Sequence, residues 1–142
     1  MSEKKLNYQE LVQGSELPEV KSAPISRVQL VDYASASGDY NLLHYDESFA
    51  KKTGLKGCIV HGMLQAGMVC SYILNWAKGA TLKNFKIRYS APANENDVLT
   101  FKGNIIKKYI ENNKHLVEIN FLSENQEKIN TTKGSAVLEF KL

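Results

Sequence analysis

Hydrophobic and polar positions change their period along this chain, from helical spacing upstream of Phe85 to strict alternation downstream of it. The first helical segment follows Pro24. Ser26 and Gln29 have the spacing of a capping box, in which each side chain satisfies the other's backbone N–H, so a helix is predicted to begin there. Gly38 is its predicted stop. The inward stripe is expected to consist of Val28, Leu30, Val31 and Ala34.

Two more helices are predicted before the period changes. Asp46 can cap a short helix over ESFAKKT, which has Lys51 and Lys52 in its last turn and Gly54 as its stop. The segment from Gly62 to Gly79, GMLQAGMVCSYILNWAKG, is apolar on nearly every face, which is typical of a buried helix. Because it is shorter than the roughly 20 residues that span a bilayer, we expect no membrane span.

The second part of the chain has the alternation of β-strands. Phe85, Ile87 and Tyr89 alternate with charged residues, and similar runs recur at VLTFKGNII, HLVEINFL and SAVLEF. Asn112-Asn113 and Ser123-Glu124-Asn125 are predicted turns. One long buried helix followed by a strand meander predicts an α+β fold, with a curved antiparallel sheet wrapped around the helix.

The chain is long enough for one hydrophobic core and too short to require two. Its 142 residues are 43% hydrophobic and 23% charged, which predicts a single globular domain over residues 1–142. The net charge of +3 is spread along the chain. Nucleic-acid binding requires a concentrated basic face, so we expect none. A small anionic ligand suits this charge better.

The N-terminal stretch MSEKKLNYQELVQG has no apolar core behind its lysines, so we expect no secretory signal and a cytoplasmic location. The two cysteines, Cys58 and Cys70, do not form a close pair. Neither a disulfide framework nor a zinc knuckle is therefore predicted, and both are expected to be reduced thiols.

The stretch SGDYNLLHYD, Ser37 to Asp46, gathers two carboxylates, an imidazole, an amide and a hydroxyl between the first two predicted helices. A loop held at both ends can position side chains for catalysis. Asp39 and His44 could then share the protons of one water as acid and base, which is worth about 10²–10⁴-fold in rate. The alternative is that Asp39 caps local backbone N–H groups and His44 lies on the surface.

A second candidate is the predicted helix start in IVHGM, where the backbone N–H of Gly62 would be free. Such a donor would stabilise an oxyanion or enolate on a thioester carbonyl, typically by about 3–4 kcal/mol. Gly62 could instead be needed only for close packing. We expect His61 to be a structural histidine, and Asn41 to form a local Asx turn or to bind substrate.

A metal site is a further alternative, built from Asp39, His44, Asp46 and His61. Their side chains are acceptable ligands, but no ligand spacing fixes them, so we expect no metal. Asp46 is assigned to the helix cap instead.

Two segments, SGDYNLLHYDESFA and IVHGMLQAG, resemble the MaoC-like family of hot-dog-fold proteins. The hydratase motif of that family reads S-G-D-x-N-P-x-H and precedes a helix that starts with H-G-M or H-G-L. The likeness is specific from Ser37 to Leu64 and extends weakly through FKIRYSAPANENDVLTFKG. Within that family, the two segments resemble the (R)-specific enoyl-CoA hydratases and the single-domain (3R)-hydroxyacyl-thioester dehydratases.

The resemblance implies a hot-dog fold and a role for individual residues. Asp39 and His44 fall on the catalytic pair, which adds water to a trans-2-enoyl thioester or removes it in reverse. Asn41 falls on the motif asparagine, and the N–H of Gly62 on the group that holds the thioester carbonyl. Supporting positions are Ser37, His61 and Cys70. No metal or redox cofactor is implied.

Two positions depart from the family pattern. Leu42 stands where the motif has proline, so the loop lacks a fixed φ. Cys70 stands where some members carry a supporting serine, and a thiol is a weaker donor. Neither departure removes the acid–base pair.

The expected partners are a CoA or acyl-carrier-protein thioester, whose phosphates would meet Lys56, Lys86 and Arg88, and a second hot-dog subunit. The resemblance implies a dimer joined at sheet edges, either a homodimer or a heterodimer with a related subunit. Two alternatives remain open: a hot-dog thioesterase, and a non-catalytic subunit that shapes the acyl tunnel of a heterodimeric dehydratase.

Overall fold

The structure is a computed structural model that describes residues 6–141. Its helices are α1 (Arg27–Ser37), α2 (Glu47–Lys52) and α3 (Gly62–Trp76), with 3₁₀ turns at Tyr8–Glu10 and Leu42–His44. Its strands are β1 (Val20–Lys21), β2 (Thr81–Tyr89), β3 (Thr100–Glu111), β4 (Lys114–Glu124) and β5 (Asn130–Phe140). The α+β class is confirmed. The first five residues of the stretch examined for a secretory signal lie outside the described residues.

Helix α1 begins and ends where the sequence predicts. The Ser26 hydroxyl accepts the Gln29 N–H at 3.1 Å, and Gly38 ends the helix with φ of 75°. Half of the predicted inward stripe is wrong. Leu30 and Ala34, four residues apart on one face, are buried. Val28 and Val31, three residues apart on another face, are exposed.

Helix α3 ends at Trp76 rather than Gly79, and it is not buried all round. Met63 and Leu74 are exposed on one side, so the prediction of a fully buried helix is wrong for the single chain. The physical reason is that the sheet covers only one face of the helix. The buried face consists of Gln65, Ala66, Val69, Tyr72 and Ile73. No helix within residues 6–141 has the length and apolar character to cross a bilayer.

The five strands form one antiparallel sheet in the order β1-β3-β4-β5-β2. The meander holds for β3, β4 and β5. Strand β2 does not continue it, because β2 pairs with β5, placing Phe85 opposite Ala136. Strand β1 was not predicted. Its Val20 pairs with Phe101 at the other edge of the sheet.

One of the two predicted turns is confirmed and the other is displaced. Asn112 and Asn113 connect β3 to β4 with φ of 50° and 61°, a conformation that asparagine tolerates better than most residues. Ser123 and Glu124 belong to β4. The next turn starts at Asn125, whose side-chain oxygen accepts the N–H groups of Glu127 and Ile129.

The hydrophobic core lies between α3 and one face of the sheet. Val69, Tyr72 and Ile73 of the helix share it with side chains of β3, β4 and β5, among them Phe101 and Ile119. Cys58 and Val60, just upstream of α3, belong to the same core. This packing fixes where α3 begins.

Candidate active site

The loop between α1 and α2 is held by a series of local hydrogen bonds. The Ser37 hydroxyl accepts the N–H of Asp39, Asp39 Oδ1 accepts the N–H of Asn41, and Asn41 Oδ1 accepts the N–H of Leu43. Each bond spans two residues, as in Asx and ST turns. The alternation of short polar side chains therefore folds the loop on itself.

The predicted local roles of Asn41 and Asp46 are confirmed. Asn41 caps the 3₁₀ turn at Leu42–His44, which forms although Leu42 occupies the place of the motif proline. Asp46 caps α2 by accepting the Phe49 N–H at 2.9 Å, and this bond is the main reason why the pKa of Asp46 is lowered. Substrate binding by Asn41 stays a prediction.

His44 is fixed in orientation by the backbone of a distant segment. Its Nδ1 lies 2.8 Å from the carbonyl oxygen of Ile59. A carbonyl only accepts, so Nδ1 carries the proton and the Nε2 lone pair is free in the neutral ring. Nε2 faces Asp39 Oδ2 at 3.7 Å. The alternative that His44 lies on the surface is wrong, because the residue is buried.

The two carboxylate oxygens of Asp39 have different roles, one in the loop structure and one in the site. Oδ1 accepts the Asn41 N–H, as the capping alternative proposed, while Oδ2 faces His44. The Asp39 side chain is 52% exposed, compared with 10% for His44. A separation of 3.7 Å is too long for a direct hydrogen bond, but two acceptors at that distance can both receive protons from one water.

His61 is the residue before α3 and lies against both members of this pair. Its ring stacks on the His44 ring with 3.6 Å between centroids and 20° between planes. Its Nε2 lies 3.3 Å from the backbone carbonyl oxygen of Asp39. Burial, and secondarily the neighbouring His44, lower the pKa of His61. His61 is buried, and its assignment as a structural histidine rather than a second base stays a prediction.

Gly62 is the first residue of α3, and the His61 side chain makes no capping bond to the helix. The amides of the first turn therefore have no side-chain acceptor at the helix start, as an oxyanion site requires. A Cβ on Gly62 would lie 3.2 Å from the ring of Tyr89. The contact with Tyr89 supports the alternative that Gly62 is needed for close packing. Gly62 can serve this packing and also donate its N–H to an oxyanion.

Three neighbouring groups were not predicted from the sequence. They are the Ile59 carbonyl, the Tyr33 ring, which meets the His61 ring edge-on at 4.8 Å, and the Tyr89 ring beside Gly62. Tyr33 could have been found by its spacing, since it lies one helical turn before Ser37. The Tyr33 backbone carbonyl accepts a hydrogen bond from the Ser37 hydroxyl. The Ile59 contact could not have been predicted, because it uses a backbone carbonyl that every residue type has.

The remaining predicted site residues make no hydrogen bond or ion pair with Asp39 or His44 in the part of the chain that the structure describes. Cys70 is partly buried on α3, burial raises the pKa of its thiol, and the thiol makes no hydrogen bond within residues 6–141. Lys56, Lys86 and Arg88 are exposed. Their role as phosphate contacts stays a prediction.

Asp39, His44 and His61 also form a group that could hold a metal ion, with ligand atoms within 4.8 Å of one another. Metal binding through His61 Nε2 would replace its contact with the Asp39 carbonyl. Asp46 is not part of this group, because its carboxylate caps α2.

Comparisons with known proteins identify the family and the fold of the chain. The family model described as "MaoC like domain" matches residues 10–126. An R-hydratase structure from Pseudomonas aeruginosa superposes with a TM-score of 0.83 at 27% identity, over 92% of this chain and 83% of that one. The expected hot-dog fold is confirmed.

Two curated relatives are similar over shorter segments. The 3-oxo-4,17-pregnadiene-20-carboxyl-CoA hydratase beta subunit of Mycobacterium tuberculosis is 30% identical over 66% of this chain and 73% of its own length. A 63-residue segment is 38% identical to the peroxisomal hydratase-dehydrogenase-epimerase of Neurospora crassa. That segment covers 44% of this chain and only 7% of the longer protein.

Proposed function

This chain belongs to the MaoC-like domain family, and on that premise we propose that it is a hydro-lyase for acyl thioesters. The reaction is the reversible syn hydration of a trans-2-enoyl thioester to the (3R)-hydroxyacyl thioester, with CoA or acyl-carrier protein as the carrier. The observation that carries the proposal is the 3.7 Å gap between Asp39 Oδ2 and His44 Nε2, two acceptors that face each other.

One water between these atoms donates a hydrogen bond to each and is thereby oriented with a lone pair toward the substrate. In hydration, the water oxygen bonds to C3 as one member of the pair takes its proton. The member that took this proton then delivers it to C2 on the same face, so the net addition is H and OH from one water. Positioned acid–base groups of this kind contribute about 10²–10⁴-fold.

The negative charge that develops in this step is an enolate on the thioester oxygen. The N–H of Gly62, at the positive end of α3, is proposed to donate to that oxygen. A donor in this role contributes typically about 3–4 kcal/mol. A charge formed on the substrate next to the helix start is thus stabilised without any rearrangement.

The test is to incubate the purified protein with crotonyl-CoA and longer enoyl thioesters and to follow the loss of enoyl absorbance. We expect turnover, a (3R) product, and loss of activity by about 10²–10⁴-fold in Asp39→Asn. Asp32→Asn is the matched control, since Asp32 is an exposed carboxylate on α1. It should retain full activity.

Two results would contradict the proposal. One is the absence of hydration on enoyl thioesters of every length, whether linked to CoA or to acyl-carrier protein. The other is release of free thiol without hydration, which would identify a thioesterase. Full activity in Asp39→Asn would exclude this carboxylate from the chemistry.

A second candidate, favoured by the beta-subunit relative, is that the chain works with another hot-dog subunit. Two exposed features support a partner: the side of α3 that carries Met63 and Leu74, and strand β2 at the end of the strand order. A second copy or a related subunit could cover both. Light scattering of the purified protein would show whether it forms a dimer. Activity that appears only after co-expression with a related subunit would show that the active form is heteromeric.

A further inference from the structure

The least explained residue of the site is His61, because the proposed chemistry does not use it. Its side chain is 1% exposed, and its Nδ1 is a buried atom with no hydrogen-bond partner. A buried polar atom without a hydrogen-bond partner is destabilising. The favoured protonation state of the His61 ring is therefore the one that leaves the fewest polar atoms without a partner.

Of the three states of the ring, two are unfavourable here. A proton on Nδ1 alone would bury an N–H without an acceptor and turn the Nε2 lone pair toward the carbonyl oxygen of Asp39. A doubly protonated ring would place a buried cation against the His44 ring at 3.6 Å. The neutral ring with its proton on Nε2 donates to Asp39 and leaves only a lone pair unmatched.

Resting on the proposed function, we propose that His61 is a positioning residue that acts through both Asp39 and His44. Its Nε2–H holds the backbone of Asp39 while its flat face supports the His44 ring. The two catalytic residues are five positions apart on an exposed loop, and His61 ties both to the buried start of α3. The 3.7 Å gap between Asp39 and His44 then depends on His61.

The neutral state of His61 has a second consequence for His44. When His44 takes a proton from the bound water it becomes a cation stacked on His61. A neutral aromatic face tolerates a cation, whereas a second positive charge at that distance would repel it. His61 is thus suited to lie under a histidine that changes its charge during each reaction cycle.

The first test is independent of activity. The chain has three histidines, so long-range ¹H–¹⁵N spectra of ¹⁵N-histidine-labelled protein can resolve all of them, with His115→Gln assisting the assignment. At pH 7 we expect the proton of His61 on Nε2 and that of His44 on Nδ1. A proton on Nδ1 of His61, alone or with one on Nε2, would overturn the inference.

The second test separates the two contacts of His61. His61→Phe keeps a flat ring and loses the donor, while His61→Gln keeps an N–H donor and loses the ring. We expect each to lower kcat by about 10–100-fold with KM within about twofold, because a displacement of about 1 Å costs about that much. His115→Phe is the matched control and should keep the wild-type kcat.

The outcomes distinguish this inference from the proposed function. A wild-type protein without hydratase activity would refute the function, while the spectra would still decide the state of His61. An active wild type with unchanged kcat in both folded variants would refute the positioning role. A rise in KM with unchanged kcat would also refute it, since that result indicates binding rather than alignment of the reacting groups.

Discussion

The carboxylate half and the imidazole half of the site are held in opposite ways. Asp39 is half exposed, and its side chain is fixed by local bonds within the loop. His44 and His61 are buried, stack on each other and bond to the backbone of residues 15 and 22 positions away. Local hydrogen bonds within an exposed loop allow the Asp39 carboxylate to adjust its position. Long-range contacts in the interior fix the positions of the two imidazole rings.

This difference separates the expected effects of substitution. Changes in the carboxylate half should lower activity and leave the free energy of unfolding nearly unchanged. Changes in the imidazole half should lower both, since the same contacts support the fold and the site. A substitution that gives the opposite result would break the comparison.

The largest effect is expected for His44→Gln. Loss of the acid–base group should lower kcat/KM by about 10²–10⁴-fold. The unpaired Ile59 carbonyl should lower the free energy of unfolding by about 1–3 kcal/mol. Asp39→Asn should show a similar loss of activity with no measurable change in urea midpoint. Kinetic assays and urea denaturation of both variants check this, with His115→Gln as the control.

Gly62→Ala should follow, with a loss of about 10–100-fold in kcat/KM. The new methyl group would lie 3.2 Å from the Tyr89 ring and must displace it or shift the helix start, and a shift of about 1 Å costs about 10²-fold. The double variant with Tyr89→Ala should recover part of the loss. If it recovers none, the Tyr89 ring is not the cause.

The pH dependence of stability tests the buried state of His61. Burial lowers its pKa from the ordinary 6.5, so below about pH 6.5 the unfolded chain binds a proton that the folded chain does not. The free energy of unfolding should therefore fall as pH falls, by at most about 1.4 kcal/mol per pH unit from this group, and stay unaffected above that pH.

The groups facing His61 are Tyr33, Asp39 and His44, and all of them remain in His61→Phe. The difference between the urea midpoints at pH 7.5 and pH 5.0 should therefore be smaller in His61→Phe than in the wild type. An unchanged difference between the two midpoints would show that His61 does not contribute.

The smallest effect is expected for Ser37→Ala. It removes the acceptor of the Asp39 N–H, an exposed bond worth about 0.5–1.5 kcal/mol at most. We expect a loss of about two- to fivefold in kcat and a decrease in the free energy of unfolding no larger than the contribution of that bond. Ser35→Ala, in the same helix, is the control. A large stability loss in Ser37→Ala would place the loop among the elements that support the fold.

The sequence predicts what local pattern determines and misses what distant contacts determine. The caps at Ser26 and Asp46 and the turn at Asn112-Asn113 depend on neighbouring residues, and all three are present. The pairing of β2 with β5 and the exposed side of α3 depend on which elements meet, which periodicity does not encode.

The site follows the same division. The motif brings Asp39 and His44 into one loop, and their proximity in the structure agrees with that expectation. The bond from His44 to the Ile59 carbonyl uses a backbone atom, which no residue type marks. The stacking of His61 on His44 brings together residues 17 positions apart that lie on different elements, so spacing alone does not predict it.

The place of β2 in the sheet has a consequence for synthesis on the ribosome. β2 is made before β3 and β4, but its hydrogen-bonding partner β5 begins about 40 residues later in the chain. At roughly 5–20 residues per second, β2 waits about 2–8 s with its backbone unpaired. A chaperone that shields nascent chains would have most to protect during that interval.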